Sequence, residues 1–439
     1  MNRLAEALFY AWILSFPFYR YSIVGTLSLD NLLAPTLLLI WPIAALSSTK
    51  RYTSHQLRNM YYVGFLLVLY FFAHSLTLIS SQQLIWQSMY RVLTDVIYIV
   101  LPMLYIRSEN TRIRAEDCII IITIIGSVTG FLSAIGVLHL EASRYSASRI
   151  EIEGLDLTRT VGLFPVYGDM ALLGAFTLVA SISAARERLL FIKRSRIVIG
   201  VIVVILLLGL LGLQSRNMVI TITLAGVLFY FVGRWSRKGG NWTRLFYILL
   251  FGGGFGVLTI IAVFWNPIIE LLAGWGGAQA SGTAYARLGQ YQLALELLSD
   301  NPLTGASSEM QERLSTSIIG IHNMWLKELV QGGVVAIMAL LLLIFRGIHN
   351  STTCLVIDSS DDAARARLAF LVAMLASTQF NPSGTAVFWM LLGVALVRVC
   401  GISSMPVKRV DVTAPDNSRL TGQITPRKHS ILAEKKNRV

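Results

Sequence analysis

Charged residues are scarce in this sequence. Asp, Glu, Lys and Arg make up 14% of its 439 residues, whereas hydrophobic residues make up 55%. A soluble protein of this size carries about 25% charged residues, so the deficit excludes an ordinary soluble domain. Apolar runs of about 20 residues recur along the chain, and they lack the alternating polarity of membrane β-strands. The sequence therefore predicts an all-α polytopic membrane protein.

Cysteine and histidine are also rare. The three cysteines, Cys118, Cys354 and Cys400, form no C-x-x-C pair, and the six histidines are scattered. Metal chemistry needs such ligands at short, regular spacing, so we expect neither a metal nor another cofactor. A small-residue cleavage site is missing after the first apolar run, 4–19, and we interpret this run as a retained span rather than a signal peptide.

About twelve apolar segments are long enough to be transmembrane helices. The longest polar interval, 267–321, separates the ninth from the tenth, and its apolar stretches at helical spacing predict a helical cap on the membrane surface. We therefore divide the chain into a transmembrane domain, 1–402, and a basic tail, 403–439, which is predicted to be disordered. The predicted spans are 4–20, 31–47, 59–79, 87–106, 115–138, 161–184, 197–213, 217–233, 245–266, 322–345, 364–380 and 384–401.

The basic residues orient these spans. If the N-terminus is inside, 28 of the 37 Lys and Arg residues fall on inner segments. The positive-inside rule then places both termini in the cytoplasm, and it explains the net charge of +13 without a nucleic-acid partner. Topology does not require the remaining outer cations, which are Arg20, Arg91, Arg144, Arg149, Arg159, Arg216, Arg287, Arg313 and Lys327.

Two of these cations and one histidine suit the chemistry of diphosphates. Arg216 lies between the uncharged runs 197–212 and 218–233, and Arg287 and His322 lie on or beside the long loop. A guanidinium presents a planar fork to phosphate oxygens, and a histidine can act as a general base near neutral pH. A diphosphate clamp with a base is the equipment for group transfer from a lipid-diphosphate donor.

Three short motifs occur in order, and each is predicted at the same membrane face. They are Leu213-Gln214-Ser215-Arg216; a stretch with Arg287, Tyr291 and Pro302-Leu303-Thr304-Gly305; and His322-Asn323, followed by Gly332-Gly333. With these motifs, over about residues 155–345, the chain resembles the O-antigen ligase and Wzy-type polymerase superfamily. It departs from the usual pattern at Tyr291, where many members have Trp, and at Gln331, near which members often have an acidic residue.

The resemblance implies a metal-independent glycosyltransferase of GT-C-like architecture in the bacterial inner membrane, with its active site facing the periplasm. It implies transfer of glycan from undecaprenyl diphosphate to an acceptor hydroxyl. In that reaction Arg216 and Arg287 bind the diphosphate, and His322 is catalytic. A flippase and a chain-length regulator are candidate partners. Further candidate substrate-binding residues are Arg159, Arg313, Lys327, Asn323 and Arg91.

Simpler structural roles compete with each assignment. Arg216 and Lys327 could snorkel to lipid phosphates, and His322 could bond the first turn of its own helix. The other cations have acidic neighbours in the sequence: Glu296 or Asp300 for Arg287, Glu309 for Arg313, and Asp95 for Arg91.

The acceptor, and even the class of function, stay open at this level. A polymerase joins the glycan to another lipid-linked repeat unit of a surface polysaccharide, such as O-antigen or exopolysaccharide, whereas a ligase joins it to lipid A-core. The cationic loop 139–160 could hold a second charged substrate, which favours the polymerase. A transporter of lipid-linked oligosaccharide is a further alternative, but it would place charges near the midplane in broken helices. A non-catalytic scaffold leaves Arg216, Arg287 and His322 without a role.

Overall fold

The computed structural model is α-helical, as the apolar runs predict. The part of the chain that it describes contains eleven α-helices, and each overlaps one predicted span. The ninth predicted span, most of the predicted cap and the tail 403–439 lie outside that part. The described residues are 2–18, 22–24, 27–46, 52–79, 85–138, 149–152, 155–158, 163–164, 167–183, 188–190, 192–213, 215–237, 294, 296, 298–299, 302–306, 324–378 and 385–398.

The helices are numbered here in chain order. They are α1 Asn2–Leu14, α2 Leu29–Leu46, α3 Ser54–Ile79, α4 Ile85–Tyr105, α5 Glu109–Ala134, α6 Tyr167–Ile182, α7 Arg196–Leu213, α8 Arg216–Arg237, α9 Met324–Ile357, α10 Asp362–Ser377 and α11 Ala386–Leu396.

Six of these helices are long and apolar enough to cross a membrane: α2, α3, α5, α7, α8 and α9. The last predicted span, 384–401, is shorter than expected, because α11 has only 11 residues and leaves helical geometry at Val397. Such a helix is roughly 16 Å long, about half of the hydrocarbon thickness. Nearly all of α11 is buried inside the bundle, where irregular backbone at its ends can find partners within the protein.

Three short antiparallel hairpins interrupt the helical pattern, and the all-α prediction omits them. They pair β1 Ser22–Val24 with β2 Leu27–Ser28, β3 Arg149–Ile152 with β4 Leu155–Thr158, and β5 Arg188–Leu189 with β6 Ile192–Lys193. The alternation of polar and apolar residues in 149–152 and 155–158 is the local signal for the second hairpin. The cationic loop predicted at 139–160 therefore contains strands, with Arg149 opposite Thr158.

Side-chain caps fix where several helices begin. Before α3, the Thr53 amide donates to Gln56 Oε1 at 2.9 Å, and the Gln56 amide donates to Thr53 Oγ1 at 3.2 Å. This reciprocal pair is a capping box, and it satisfies two amides that a helix start leaves unpaired. Ser108 caps α5 and Thr385 caps α11 through their hydroxyl groups.

Close glycine contacts bring α7 against α5. A Cβ on Gly212 would lie 2.7 Å from the Gly130 carbonyl oxygen, and a Cβ on Gly209 would lie 2.6 Å from Ser127 Oγ. Small residues let two membrane helices approach at backbone distance, which favours their association. The contact at Gly212 fixes the last turn of α7, immediately before Ser215-Arg216.

The contacts between helix ends define two ends of the bundle. At the first, Asn59 near the start of α3 donates through Nδ2 to the Leu396 carbonyl of α11 at 3.0 Å and accepts from Arg346 Nε of α9 at 2.8 Å. Arg367 near the start of α10 donates to the Val397 carbonyl at 3.2 Å. We call this the basic end. The other end, where α8 and α9 begin and α3 and α10 finish, is called the motif end.

Candidate functional site

The Ser-Arg motif forms the start of α8. The Met218 amide donates to Ser215 Oγ at 3.4 Å, so Ser215 is the N-cap and Arg216 is the first helical residue. The unpaired amides of a helix start carry partial positive charge, which favours an anion nearby. The structure describes the backbone of Arg216 but not its side chain.

The starts of α8 and α9 meet at the same turn. Asn217 Nδ2, one residue after Arg216, donates to Ser377 Oγ at 3.2 Å. The Met324 amide, two residues after His322, donates to the Thr378 carbonyl oxygen at 3.2 Å. Because Ser377 and Thr378 are consecutive, the Ser-Arg motif and the helix that follows the His-Asn motif are held at one place in the bundle.

Helix α9 contains a sharp break at a glycine. Gly333 has φ +67° and ψ −170°, which separates the first segment of the helix, 324–332, from the longer span that follows. The loop 302–306 fills this break: the Ala306 amide donates to the Val330 carbonyl at 2.7 Å, and the Val334 amide donates to the Pro302 carbonyl at 3.0 Å. The loop thereby satisfies backbone groups that the interrupted helix would leave unpaired.

The two glycines at this junction leave no room for side chains. A Cβ on Gly333 would overlap the Leu303 carbonyl and lie 2.7 Å from the Thr304 amide nitrogen. A Cβ on Gly305, which has φ +82°, would lie 2.5 Å from the Val330 carbonyl oxygen. The Pro-x-x-Gly motif, 302–305, and the Gly-Gly motif, 332–333, therefore pack directly against each other, and this contact requires glycine at both 305 and 333. We call the contact between loop 302–306 and residues 330–334 the joint.

A buried ionisable cluster lies against the first segment of α9. Glu328 Oε2 accepts from Tyr70 Oη at 2.7 Å and lies 3.2 Å from His74 Nε2. His74 Nδ1 lies 3.0 Å from the backbone carbonyl oxygen of Tyr70. All three residues are at most 5% exposed. Both contacts of the His74 ring are therefore to oxygen atoms, one on the α9 side chain and one on the α3 backbone.

Two candidate substrate-binding residues lie beside this cluster. Lys327 of α9 interacts electrostatically with Arg91 and Asp95 of α4 and with its neighbour Glu328. Arg91 is exposed and Lys327 is half-buried, so neither is sealed inside the bundle. Arg91 interacts electrostatically with Asp95, its acidic neighbour in the sequence, and Asp95 interacts in turn with Glu328 and Lys327 of α9.

Helix α6 also joins the motif end. Thr385, the N-cap of α11, donates through its hydroxyl to Asp169 in the first turn of α6, and Asp169 is buried. This contact ties the first turn of α6 to the start of α11. The remaining predicted site residues lie outside the described part of the chain: Arg159, Arg287, Arg313, His322 and Asn323.

Sequence reasoning missed His74 and Tyr70. A histidine within an apolar span was the available signal, because ionisable groups at membrane depth are costly and are usually paired. The partner could not be read from spacing, since Tyr70 and Glu328 are 258 residues apart.

Among the described residues, no group of three or more His, Cys, Asp or Glu side chains is arranged to hold a metal ion.

One protein-family model matches part of the chain. Residues 170–341 match the Wzy_C family, which is described as O-Antigen ligase. The chain carries an O-antigen ligase domain. The match extends from the first turn of α6 into the second segment of α9, and it includes the joint between loop 302–306 and Gly333. A comparison with curated proteins gives no match.

The matched segment of the O-antigen ligase domain contains the Ser-Arg, Pro-x-x-Gly and His-Asn motifs in their expected order. The family resemblance predicted from those motifs is confirmed. Tyr70, His74, Arg91 and Asp95 lie outside the matched segment, so their contacts with α9 are a feature of this chain that the family match does not cover.

Proposed function

We propose that this protein transfers glycan from undecaprenyl diphosphate to an acceptor hydroxyl at the periplasmic face of the bacterial inner membrane, polymerising lipid-linked repeat units of a cell-surface polysaccharide. One observation carries the proposal. The starts of α8 and α9, which carry or follow the Ser-Arg and His-Asn motifs of an O-antigen ligase domain, are both bonded to the turn Ser377-Thr378.

In the proposed reaction the acceptor oxygen attacks the anomeric carbon of the donor sugar. The new carbon–oxygen bond forms as the bond from that carbon to the diphosphate breaks, and the lipid diphosphate leaves with the bonding electron pair. His322 takes the proton of the acceptor hydroxyl as general base. Arg216 and Arg287 stabilise the charge that develops on the leaving diphosphate.

The start of α8 supports the diphosphate assignment. Ser215 caps the helix, and Arg216 at its first position adds a full positive charge to the partial charge of the helix start. A lipid diphosphate reaches a membrane face with its tail in the hydrocarbon, and the sequence puts Arg216 between two apolar helices, where we propose that it meets this head group.

The basic end supports the proposed orientation. Among the described cations there, Arg346 lies in the second half of α9, Arg367 near the start of α10, and Arg107 just after α4. Cytoplasmic segments of membrane proteins are enriched in Lys and Arg. We therefore propose that the basic end is cytoplasmic and that the motif end faces the periplasm.

Ligation to lipid A-core is the second candidate, and the description of the matched family favours it. The cationic loop that contains the β3–β4 hairpin is our reason to prefer polymerisation, since it offers a second basic surface for a lipid-linked acceptor. The two reactions share the donor and the proposed leaving group, and they differ only in the hydroxyl that attacks.

One assay separates these functions from lipid transport. The purified full-length protein is given a fluorescent undecaprenyl-diphosphate glycan, with either a second lipid-linked repeat or lipid A-core as acceptor. Longer lipid-linked chains support the polymerase, and labelled lipid A-core supports the ligase. In vesicles, donor that crosses the bilayer unaltered, with no glycan joined to either acceptor, would instead support the transporter and overturn our proposal.

We expect His322→Ala to reduce glycan transfer by about 100-fold or more, because general-base catalysis contributes about that much to such reactions. The rate constant should fall while the protein still purifies as a folded species. His349→Ala is the matched control, since His349 is an exposed histidine toward the basic end of α9. Transfer that persists at the wild-type rate in the His322 variant would remove this residue from the mechanism.

We also expect chelation to leave transfer intact. The proposed scheme stabilises the leaving diphosphate with guanidinium groups rather than with a divalent cation. Initial rates would be measured before and after dialysis against EDTA, and again after Mg²⁺ is restored. A loss of activity that Mg²⁺ repairs would show that a metal takes part.

A further inference from the structure

A buried contact joins α3 to the segment of α9 that follows the proposed catalytic base, His322. His74, Tyr70 and Glu328 form a connected cluster that links the last turns of α3 to the first segment of α9. This segment begins two residues after His322. Nothing in the family match covers the α3 side of the contact, because the match starts at residue 170.

The longer, second segment of α9 does not fix the position of the first segment. The break at Gly333 uncouples it from the longer span, so its tilt and rotation depend on contacts made elsewhere. Its beginning is bonded to Thr378 and its end to the loop 302–306. Glu328 lies between these two attachments, and its contacts with Tyr70 and His74 hold the middle of the segment.

The His74 ring packs closely against both α3 and α9. Its ring lies 4.3 Å from the Tyr70 ring, centroid to centroid, and a Cβ on Gly332 would lie 2.7 Å from His74 Cε1. The absence of a side chain at position 332 lets the imidazole pack against α9. Tyr70 in turn packs on the Trp389 ring of α11 at 5.5 Å, so the cluster is held from a third helix.

We propose that His74, with Tyr70 and Glu328, is a set of positioning residues that fixes the first segment of α9 and thereby the His322 side chain at the reacting atoms. This inference rests on the proposed glycan transfer. The three residues do not touch the substrates. They act by holding the helix that follows the base, and small displacements of a catalytic group lower the rate of the chemical step more than they weaken donor binding.

The test uses full-length His74→Gln, Glu328→Gln and the double variant. Each single change replaces one partner of the buried His74–Glu328 contact and leaves the other without its native partner, whereas the double change leaves two amide groups that can hydrogen-bond to each other. We expect kcat for glycan transfer to fall about tenfold or more in each single variant, with KM for the lipid-linked donor changed less than about twofold. The double variant should recover part of the lost kcat.

Thr177→Val is the matched control. Thr177 Oγ1 donates to Thr123 Oγ1 at 2.8 Å in a buried contact between α6 and α5, away from α9. A variant that only loosens packing should lower the amount of folded protein without this split between kcat and KM. Wild-type kcat in both single variants, or losses no larger than those of Thr177→Val, would overturn the proposal.

A second measurement does not depend on glycan transfer. Hydrogen–deuterium exchange should accelerate in the peptide 324–331 of His74→Gln, while 340–357 and the Thr177→Val protein stay as in the wild type. Unchanged exchange at 324–331 would overturn the positioning role. A wild-type protein that transfers no glycan, with accelerated exchange in the His74 variant, would instead reject the proposed function and keep the structural role of the cluster.

Discussion

Arg216→Ala is expected to abolish glycan transfer. Arg216 is the first residue of α8, whose start carries partial positive charge, and we propose that its guanidinium binds the lipid diphosphate. Removing one well-placed stabiliser of a developing negative charge costs about 100- to 1,000-fold in rate. We expect a loss of at least this size, because an alanine leaves no second cation on the first turn of α8. Initial rates with the lipid-linked donor would measure it.

Two further variants separate charge from shape and from folding. Arg216→Lys keeps the charge but loses the planar fork, so it should restore only part of the rate. Arg234→Ala removes an exposed arginine near the other end of the same helix and should leave transfer unchanged. If Arg216→Ala transfers glycan as fast as Arg234→Ala, then Arg216 snorkels to lipid and does not hold the diphosphate.

The spans and motifs could be predicted because their signals are local. An apolar run of about 20 residues requires no tertiary information, and α7 and α8 begin and end within a few residues of their predicted limits. The hydrophobic pattern failed where a helix is buried on all sides. The sequence predicts a complete span at 384–401 because Val397, Val399 and Cys400 extend the apolar run, yet the backbone leaves the helix at Val397.

The function of the motif glycines was not readable from the sequence. In the sequence, Gly305 and Gly333 belong to family motifs, but their structural role is not evident. The structure shows that the loop containing Gly305 packs into the break of α9 at Gly333. The same limit applies to His74. Its partner Glu328 lies on a helix that is distant in sequence, and no periodicity connects two such positions.

Gly333→Ala is expected to separate the loop 302–306 from α9. An alanine Cβ would overlap the Leu303 carbonyl, and since this is backbone on both sides, no side-chain rotation relieves the overlap. The positive φ of Gly333 adds strain for any residue with a Cβ. Strain of this kind, with the loss of two backbone hydrogen bonds, should destabilise the joint by roughly 2–5 kcal/mol.

The glycines of α3 and α7 supply controls for this change. A Cβ on Gly64 or Gly200 meets nothing within 4 Å, so Gly64→Ala and Gly200→Ala should keep or raise the thermal stability of the detergent-solubilised protein. Gly333→Ala should lower it, accelerate hydrogen exchange of the amides in 302–306 and 330–334, and stop glycan transfer. Because the joint sets the end of the α9 segment that begins beside His322, the loss of transfer should exceed the loss of folded protein. A Gly333 variant as stable and as active as the Gly200 control would show that the loop and the break in α9 are not mechanically connected to the reaction.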